Sequence, residues 1–376
     1  MTETNGGSIN PNPNISPDDE ELLRFIENAK PKIYIVGAGG SGSNTITRMH
    51  AANIDGAKLV VMNTDASHLS KTLAHRKILL GKKLTRGLGA GSDPKIGEEA
   101  TIESREEIKH LISDAQLVFV TCGLGGGTGT GSAPIIAHEA KEAGALTVGI
   151  VTLPFSSEGK ARMRNALDGL SKLKRATDTT IIIPNDKLLS IAPDLPINMA
   201  FRISDEVLSN AAKGIVEMVT KPGMVNLDFA DLRSVLKESG YAVIGIGEGT
   251  STSSTDRSII AIDNTLRSPL LDVNMATAKK ALVNIVGGAD LTLREAENIF
   301  QEVAKRISDD AMLKWGARID PDMHKSAIKI MVVMGGVEFA DYSDKGVKTK
   351  VQSNGDIDIE IDRVFDDDGP IRRTAK

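Results

Sequence analysis

The segment GLGGGTGTG, Gly123–Gly131, constrains the fold of this chain more than any other feature, since six of its nine residues are glycine. It follows the apolar run LVFV and precedes the helical pattern SAPIIAHEA. Glycine loses more backbone freedom on folding than any other residue, so such a segment is costly to order. Its flanks predict an ordered loop between a strand and a helix, at the sheet edge where ligands bind.

Apolar runs alternate with helical patterns through the first half of the chain, which is typical of a parallel sheet with helices on both faces. The predicted strands are 32–36, 58–65, 77–80, 117–121, 146–155 and 179–184. Helices are predicted between them, one through about Ala52, one from about 96 to 113, and one from 132 to a stop at Gly144.

Residues 197–221 keep helical spacing over about seven turns, and Pro222 and Gly223 end that pattern. The runs YAVIGIGEG, KKALVNIVGG, MLKWGARID and SAIKIMVVMGG then predict the strands of a second sheet. The fold class is therefore α/β, with a Rossmann-like parallel-sheet domain, a long central helix and a smaller α/β domain with a mixed sheet. The predicted divisions are a disordered extension 1–20, a first domain 21–221, a second domain 222–340 and a charged, partly mobile tail 341–376.

Composition excludes several classes of function. The 45 basic and 50 acidic residues leave a formal charge of −5 without a basic stripe, so no nucleic-acid partner is expected. One cysteine, Cys122, excludes an internal disulfide and a multi-cysteine metal cluster. The start has no signal-peptide pattern, and no apolar run approaches the ~18 residues of a spanning helix. A cytoplasmic protein without direct membrane insertion is expected.

Three glycine loops follow predicted strands of the first sheet. GAGGSG, 37–42, fits G-x-G-x-x-G, which alone favours NAD as readily as any other ligand or a plain tight turn, and Asp65 could serve as a ribose-binding acid. GLGAG at 87–91 and the loop at 123–131 shift the balance, because several amide-rich loops at one point suit a triphosphate. The P-loop pattern G-x-x-x-x-G-K-[ST] is absent from the sequence.

GGGTGTG, with GGSGSN before it and NLDFADLR after the long helix, resembles the tubulin/FtsZ superfamily, and more the FtsZ branch than tubulins. The similarity runs from about residue 32 to 336. It implies a GTP-binding first domain, a GTPase-activating second domain, and head-to-tail polymerisation into filaments of a mid-cell division ring. Ser41, Ser43 and the charged end look more like an archaeal member.

The resemblance also implies the residues that bind GTP or GDP. Glu158 and Arg162 match a pair placed by the ribose and phosphate, and Asn185 and Asp205 match the guanine readers. Without the resemblance, Glu158 and Arg162 would be an ordinary i, i+4 ion pair. Asn185 would be a helix cap, and Asp205 a solvated helix position. The residues expected at the phosphates are Gly40, Ser41, Gly42, Ser43, Asn44, Gly125, Gly126, Gly127, Thr128, Gly129, Thr130 and Gly131.

The loop NLDFADLR contains the candidate catalytic residues Asn226, Asp228 and Asp231. From the residues alone, Asp231 would be the N-cap of the next helix and Asn226 a turn residue. The loop follows a helix of about 25 residues, ~37 Å long, and so cannot easily reach the nucleotide of its own chain. The resemblance implies that it completes a neighbour's pocket, where the two aspartates orient and polarise the attacking water and Asn226 assists near the γ-phosphate.

Mg²⁺ is expected on phosphate oxygens and water, with no metal site made of protein ligands. The expected partners are further copies of the chain and division-ring adaptor or membrane-anchor proteins. Two alternatives remain open: an NAD-dependent oxidoreductase, resting on GAGGSG and Asp65, and a filament protein that binds GTP without hydrolysing it. The presence of Asn226, Asp228 and Asp231 favours hydrolysis.

Overall fold

The computed structural model describes residues 30–191, 196–221, 223–252, 254–271, 273–337, 347–351 and 357–361. The predicted extension at 1–20 and most of the predicted tail from 341 onward lie outside the described residues.

Twelve strands are described, ten of them in one sheet and two in a separate antiparallel pair. They are β1 Ile33–Ala38, β2 Ala57–Asn63, β3 Arg76–Leu79, β4 Leu117–Gly123, β5 Leu146–Leu153, β6 Thr179–Pro184, β7 Gly240–Thr250, β8 Lys280–Gly287, β9 Met312–Ile319, β10 Ala327–Gly335, β11 Val347–Val351 and β12 Ile357–Ile361.

Helices cover this sheet. Those described are α1 Gly39–Ala51, α2 Ala66–Lys71, α3 Pro94–Glu103, α4 Arg105–Ile112, α5 Thr128–Glu142, α6 Lys160–Ala176, α7 Asn185–Ile191, α8 Ile197–Thr220, α9 Phe229–Leu236, α10 Ser254–Leu266 and α11 Leu293–Ala304. Short 3-10 helices span Ser156–Glu158, Pro269–Leu271 and Met275–Thr277.

The first half of the sheet is parallel, in the order β3-β2-β1-β4-β5-β6. Its central strands are buried along their whole length, as in β5, because helices pack on both faces. Alternate side chains of β1 enter different cores: Ile35 packs with Ile215 of α8, and Val36 packs with Ile136 of α5. The predicted parallel, two-sided sheet is confirmed.

The second half is mixed, as the sequence predicts. Strand β10 pairs antiparallel with β7 and β8, whereas β8 pairs parallel with β9. The prediction of a separate second sheet is wrong, because β6 and β7 pair in parallel over three residue pairs, from Thr179↔Gly240 to Ile181↔Ala242. One ten-stranded sheet therefore runs through both halves, and the division into domains near Lys221 stays a prediction.

The long helix α8 connects the two halves and confirms the predicted helix at 197–221. Its side chains Leu208, Ala211 and Ile215 are buried against the first half of the sheet. Near the helix start, Asp205 faces Ser41 after β1, whereas an added Cβ at Gly56, just before β2, would touch the Thr220 side chain. The helix thus runs from the carboxyl edge of the parallel strands to their amino edge.

Two helix boundaries differ from the sequence-based expectation. The predicted helix from 96 to 113 is two helices, broken at Ser104, whose hydroxyl accepts a hydrogen bond from the Gly81 amide (3.1 Å). Helix α5 begins at Thr128, inside the glycine segment rather than after it. Its first turn is therefore built from glycine and threonine, which places helix amides within the loop itself.

Candidate nucleotide site

The loops after β1 and β4 lie against each other at the carboxyl edge of the sheet. Gly39 has φ +70°, and a Cβ there would lie 2.7 Å from the Gly129 amide nitrogen. A Cβ on Gly123 would lie 2.9 Å from the Cβ of Ser41. Only glycine allows both the backbone conformation and this close approach. The glycines therefore bring two strand-to-helix turns into contact.

The glycine loop at 87–91 lies at the same edge and contacts it through Thr64. The hydroxyls of Thr64 and Thr128 lie 2.6 Å apart, and the Gly89 amide donates to the Thr64 carbonyl (3.1 Å). Leu88, within that loop, is highly exposed. All three glycine loops lie together here, as the sequence predicts for a ligand with concentrated charge.

Two helices start at this point without a side-chain cap. Ala38 and Gly127 are the N-cap residues of α1 and α5, and neither provides a capping hydrogen bond. The first-turn amides of both helices are thus left without intrahelical partners. A Cβ added to Gly126 would meet open space. Bare amides and the positive ends of two helix dipoles form a site suited to an anion.

Some of the predicted phosphate residues have internal roles instead. The Gly125 amide donates to the Thr130 hydroxyl (2.8 Å), and the Gly131 amide donates to the Gly127 carbonyl (3.1 Å). A Cβ on Gly131 would overlap the Pro94 carbonyl oxygen, so glycine is required there by helix packing. The buried Ser43 hydroxyl donates to the Gly39 carbonyl (2.6 Å). These contacts shape the loops.

The polar residues of α1 contact neighbouring elements. Ser41 lies within 3.5 Å of Asp205, and Asn44 Oδ1 lies 3.1 Å from His68 Nε2 of α2. A Cβ on Gly40 would come within 3.7 Å of the His68 ring. Sequence reasoning missed His68, because its only signal is its position three residues after the predicted strand at 58–65.

Asp205 is a buried carboxylate, only 6% exposed, so its interpretation as a solvated helix position is wrong. Burial raises its pKa to about 6, although Arg48 and the Ser41 and Thr45 hydroxyls act in the opposite direction. Arg48 Nε lies 3.5 Å from Asp205 Oδ2. The fold therefore holds, beside the first glycine loop, a carboxylate whose pKa lies only about one unit below neutral pH.

Asn185 contacts α8 at the residue before Asp205. It is buried at the start of α7, and its Oδ1 accepts a hydrogen bond from Ser204 (2.8 Å), the residue before Asp205. An amide and a carboxylate are thus both buried where the start of α7 meets α8. Between them they offer the donor and acceptor types that a guanine edge requires.

An aromatic ring that sequence reasoning missed lies one turn before Asp205. Phe201 is 40% exposed and packs edge-on against Phe155, with ring centroids 5.3 Å apart. Its spacing of four residues from Asp205 places both on one face of α8 and was the available signal. An exposed aromatic ring beside a carboxylate such as that of Asp205 is suited to stacking on a base.

Glu158 and Arg162 form an ion pair against the glycine loop at 123–131. Arg162 Nε lies 3.0 Å from Glu158 Oε2, and Glu158 Oε1 accepts the Phe155 amide (2.8 Å). A Cβ on Gly125 would lie 2.8 Å from the Arg162 carbonyl oxygen. The pair is both an ordinary local ion pair and a neighbour of the site.

Asp65 caps α2, because its side chain accepts the His68 amide (2.9 Å). This capping role accounts for Asp65 without a ribose ligand. The observation removes one of the two residue features that favoured NAD.

The loop at 226–231, called the acidic loop from here on, lies away from the glycine loops. Asn226 is a turn residue, as predicted, and accepts the Gly223 amide (2.6 Å). The N-cap of α9 is Asp228 rather than Asp231, because Asp228 accepts the Asp231 amide (2.7 Å) and Asp231 closes the capping box. Asn226 and Asp228 are exposed and Asp231 is half-buried.

The acidic loop is attached to the edge strand β9. Val225 and Ala317 exchange backbone hydrogen bonds of 3.2 and 3.1 Å, and Asp231 pairs with Lys314 at 2.8 Å. The loop therefore lies beyond the far end of α8. The 15 residue steps from Asp205 to Thr220 alone span roughly 22 Å of helix axis.

Comparison with known proteins identifies the class that this fold and site define. Residues 32–193 match the Tubulin/FtsZ family GTPase domain, and residues 240–338 match the FtsZ family C-terminal domain. The chain belongs to the FtsZ family of tubulin-like GTPases.

Its curated relatives include archaeal cell division proteins. The chain is 51% identical over 336 residues to cell division protein FtsZ 1 of Methanocaldococcus jannaschii, covering 89% of this chain and 92% of that one. It is 54% identical over 319 residues to FtsZ 1 of Pyrococcus abyssi, covering 85% and 84%. The archaeal character expected from the sequence agrees with these relatives.

Solved structures resemble the same fold. An empty FtsZ dimer of M. jannaschii matches with a TM-score of 0.80 at 50% identity, covering 89% of this chain and 94% of that one. CetZ1 from Haloferax volcanii, a GDP-bound monomer, matches at 20% identity with a TM-score of 0.73, covering 83% and 96%, which shows the shared fold alone.

The described residues contain neither a membrane-spanning helix nor a cluster of metal-ligating side chains. None of the helices that the structure describes is long and apolar enough to cross a membrane. Within the same described ranges, no three or more His, Cys, Asp or Glu side chains come together as a metal site.

Proposed function

We propose that this chain is a GTP-hydrolysing cytoskeletal protein that polymerises head-to-tail into protofilaments of the cell-division ring. Each nucleotide pocket is completed by the acidic loop of the next subunit. The observation that carries this proposal is the placement of the glycine loops and the acidic loop at opposite ends of α8. Neither half of such a site can act on GTP within one subunit.

The glycine loops bind the phosphates in this proposal, through amides and hydroxyls at the starts of α1 and α5. Glu158 and Arg162 contact the ribose and phosphate from beside the glycine loop at 123–131. The phosphate-binding residues are Gly40, Ser41, Gly42, Ser43, Asn44, Gly125, Gly126, Gly127, Thr128, Gly129, Thr130 and Gly131, some of them through the shape that they impose on the loop.

Asn185 and Asp205 read the guanine base. Guanine N1–H and N2–H₂ donate to the Asp205 carboxylate, and O6 accepts from the Asn185 amide. Adenine would leave both protein groups badly paired. The exposed ring of Phe201 stacks on the base from the same face of α8.

Hydrolysis takes place where the acidic loop enters the neighbour's pocket. Asp228 and Asp231 orient and polarise the attacking water, with Asn226 close to the γ-phosphate. Bound Mg²⁺, held by phosphate oxygens and water, would offset the developing negative charge.

A contact between the two ends of the molecule is heterologous and does not close, so it extends into a filament. The dimer described for the M. jannaschii relative supports self-association of this chain. The filament works in the cytoplasm at mid-cell and reaches the membrane through adaptor or anchor proteins, as the family membership suggests.

The test is the dependence of GTP turnover on protein concentration. Activity per subunit should rise steeply above a threshold concentration, because only assembled subunits have complete sites. Asp231→Ala should bind GTP and sediment as filaments but release phosphate slowly, at a rate at least about 100-fold lower. Phosphate release and sedimentation are measured on the same samples.

Two results would count against the proposal. Activity per subunit that stays constant down to the dispersed state would show that one subunit holds a complete site. Filaments of the wild-type chain that release no phosphate would favour the alternative of a GTP-binding polymer without hydrolysis.

A further inference from the structure

The acidic loop brings negative charge to a negative ligand. In the proposed assembly, Asp228 and Asp231 approach the triphosphate of the neighbouring subunit, and like charges at such short range repel strongly. A cation within the loop would offset this repulsion before any metal ion arrives. Lys314 of β9 is in the position to supply it.

Lys314 holds Asp231 through a direct ion pair. Its Nζ lies 2.8 Å from Asp231 Oδ1, while Asp231 Oδ2 accepts the Asp228 amide at 3.4 Å. Both oxygens of Asp231 are thus engaged, and its carboxylate has one orientation. The Asp228 amide contact is long, so the lysine provides the stronger of the two constraints.

The strand fixes where the lysine points. Side chains two residues apart on a strand share a face, so Lys314 and Gly316 lie on the same side of β9. A Cβ on Gly316 would lie 3.0 Å from Leu227, which shows that this side faces the acidic loop. The backbone pair between Val225 and Ala317 holds the loop in register with the strand.

The ion pair also keeps both partners charged. The hydrogen bond from Lys314 lowers the pKa of Asp231 below its usual range. Asp231, with a smaller contribution from Asp228, raises the pKa of Lys314. The lysine therefore responds to both carboxylates of the loop.

We propose that Lys314 is a positioning residue of the hydrolysis site, which orients the Asp231 carboxylate and offsets the charge that the acidic loop brings to the triphosphate. This inference rests on the function proposed above. Lys314 acts through Asp231 and is not itself expected to touch the reacting atoms.

The test compares Lys314→Met, which keeps the stem and removes the charge, with Lys314→Arg, which keeps the charge. Phosphate release is measured at saturating GTP on filaments quantified by sedimentation. We expect kcat per assembled subunit to fall at least about tenfold in Lys314→Met and to recover most of its value in Lys314→Arg. Raised Mg²⁺ should restore part of the Lys314→Met rate, because another cation then offsets the charge.

GTP binding by dispersed Lys314→Met subunits should equal that of wild type, since the glycine loops lie at the other end of α8. Lys305→Met is the matched control. Lys305 is an exposed lysine that pairs with Glu302 at 2.6 Å on α11, and its removal should leave turnover unchanged. A general effect of losing one positive charge would instead slow both variants.

The proposal fails if Lys314→Met filaments turn over GTP at the wild-type rate. It also fails if Lys314→Met and Lys314→Arg lose assembly or turnover equally, because the lysine would then be structural. Failure of the underlying function looks different: Asp231→Ala would hydrolyse normally, or wild-type turnover would not depend on assembly.

Discussion

At Asp205 the fold buries a carboxylate beside the Ser41 and Thr45 hydroxyls and Arg48. Burial raises its pKa to about 6, above its ordinary value of 3.8. Between pH 3.8 and about pH 6, Asp205 is protonated more often in the folded chain than in the unfolded chain. The unfolding free energy therefore decreases as pH rises through that range. Ionised Asp205 costs the nucleotide-free fold on the order of 3 kcal/mol at neutral pH. Guanine donors would offset part of that cost.

This leads to a pH prediction for nucleotide binding. Guanine needs the ionised carboxylate, so affinity for GDP should be constant above about pH 7 and decrease below pH 6. At pH 5 the affinity should be about tenfold lower than at pH 7 because about one carboxyl in ten is then ionised. Titration calorimetry at both pH values measures the change.

Asp205→Asn is the control for this experiment, since the phosphates of GDP titrate in the same range. The variant should bind GDP more weakly at neutral pH and show only the pH dependence of the phosphates. If wild type and variant have the same pH dependence, Asp205 does not read the base.

At the scale of elements, one face of β9 joins the two halves of the molecule. Lys314 contacts the acidic loop, and Leu227 packs against Gly316. Arg318 pairs with Glu217 of α8 at 2.9 Å. Both members of the last pair are largely buried, and Lys221 also approaches Glu217 at 2.7 Å. Strand β9 therefore contacts both the end of α8 and the acidic loop.

Removing Arg318 should destabilise the chain, because the buried negative charge of Glu217 would then be paired with Lys221 alone. We expect Arg318→Met to lower the unfolding free energy by about 2 kcal/mol. Denaturant titration of the nucleotide-free protein measures the change.

Arg267→Met is the matched control for that variant. Arg267 is exposed on solvent and lies 3.8 Å from Asp263 one turn away. Its loss should change the unfolding free energy by less than about 0.5 kcal/mol. Equal effects of the two substitutions would show that the Arg318–Glu217 pair contributes nothing specific.

At the scale of the whole molecule, a single sheet and one helix separate the two parts of the site. The glycine loops lie at one end of α8 and the acidic loop at the other. Under the proposed function, activity would depend on which neighbour each subunit meets, and assembly would control hydrolysis without a conformational switch.

Complementation between two inactive variants tests this arrangement. Asp205→Asn weakens the pocket and keeps the acidic loop, whereas Asp231→Ala keeps the pocket and loses the loop function. Mixed filaments should release phosphate well above the sum of the separate rates, because an intact loop meets an intact pocket at some contacts. A mixture no faster than that sum would argue for sites within single subunits.

Local patterns predicted much of the fold. The buried strands, the long helix and the glycine loops follow from apolar periodicity and from glycine, both of which act over a few neighbouring residues. The resemblance supplied the expected roles of Asn185 and Asp205, which their local sequence did not indicate.

Contacts between distant segments were not predictable in the same way. The continuity of the sheet depends on three residue pairs between β6 and β7, and the N-cap at Asp228 depends on the backbone geometry of its turn. His68 and Lys314 were missed because their contacts with Asn44 and Asp231 depend on distant segments, and Phe201 was missed although its spacing from Asp205 was an available signal.

The sequence by itself determined that this chain is an α/β protein with amide-rich loops at the ends of parallel strands, because periodicity and glycine content act locally. Only the tertiary structure decided that those loops meet at one edge, that Asp205 is buried beside them, and that Lys314 holds Asp231 at the opposite end. Those facts depend on packing between segments up to 164 residues apart, such as Ser41 and Asp205.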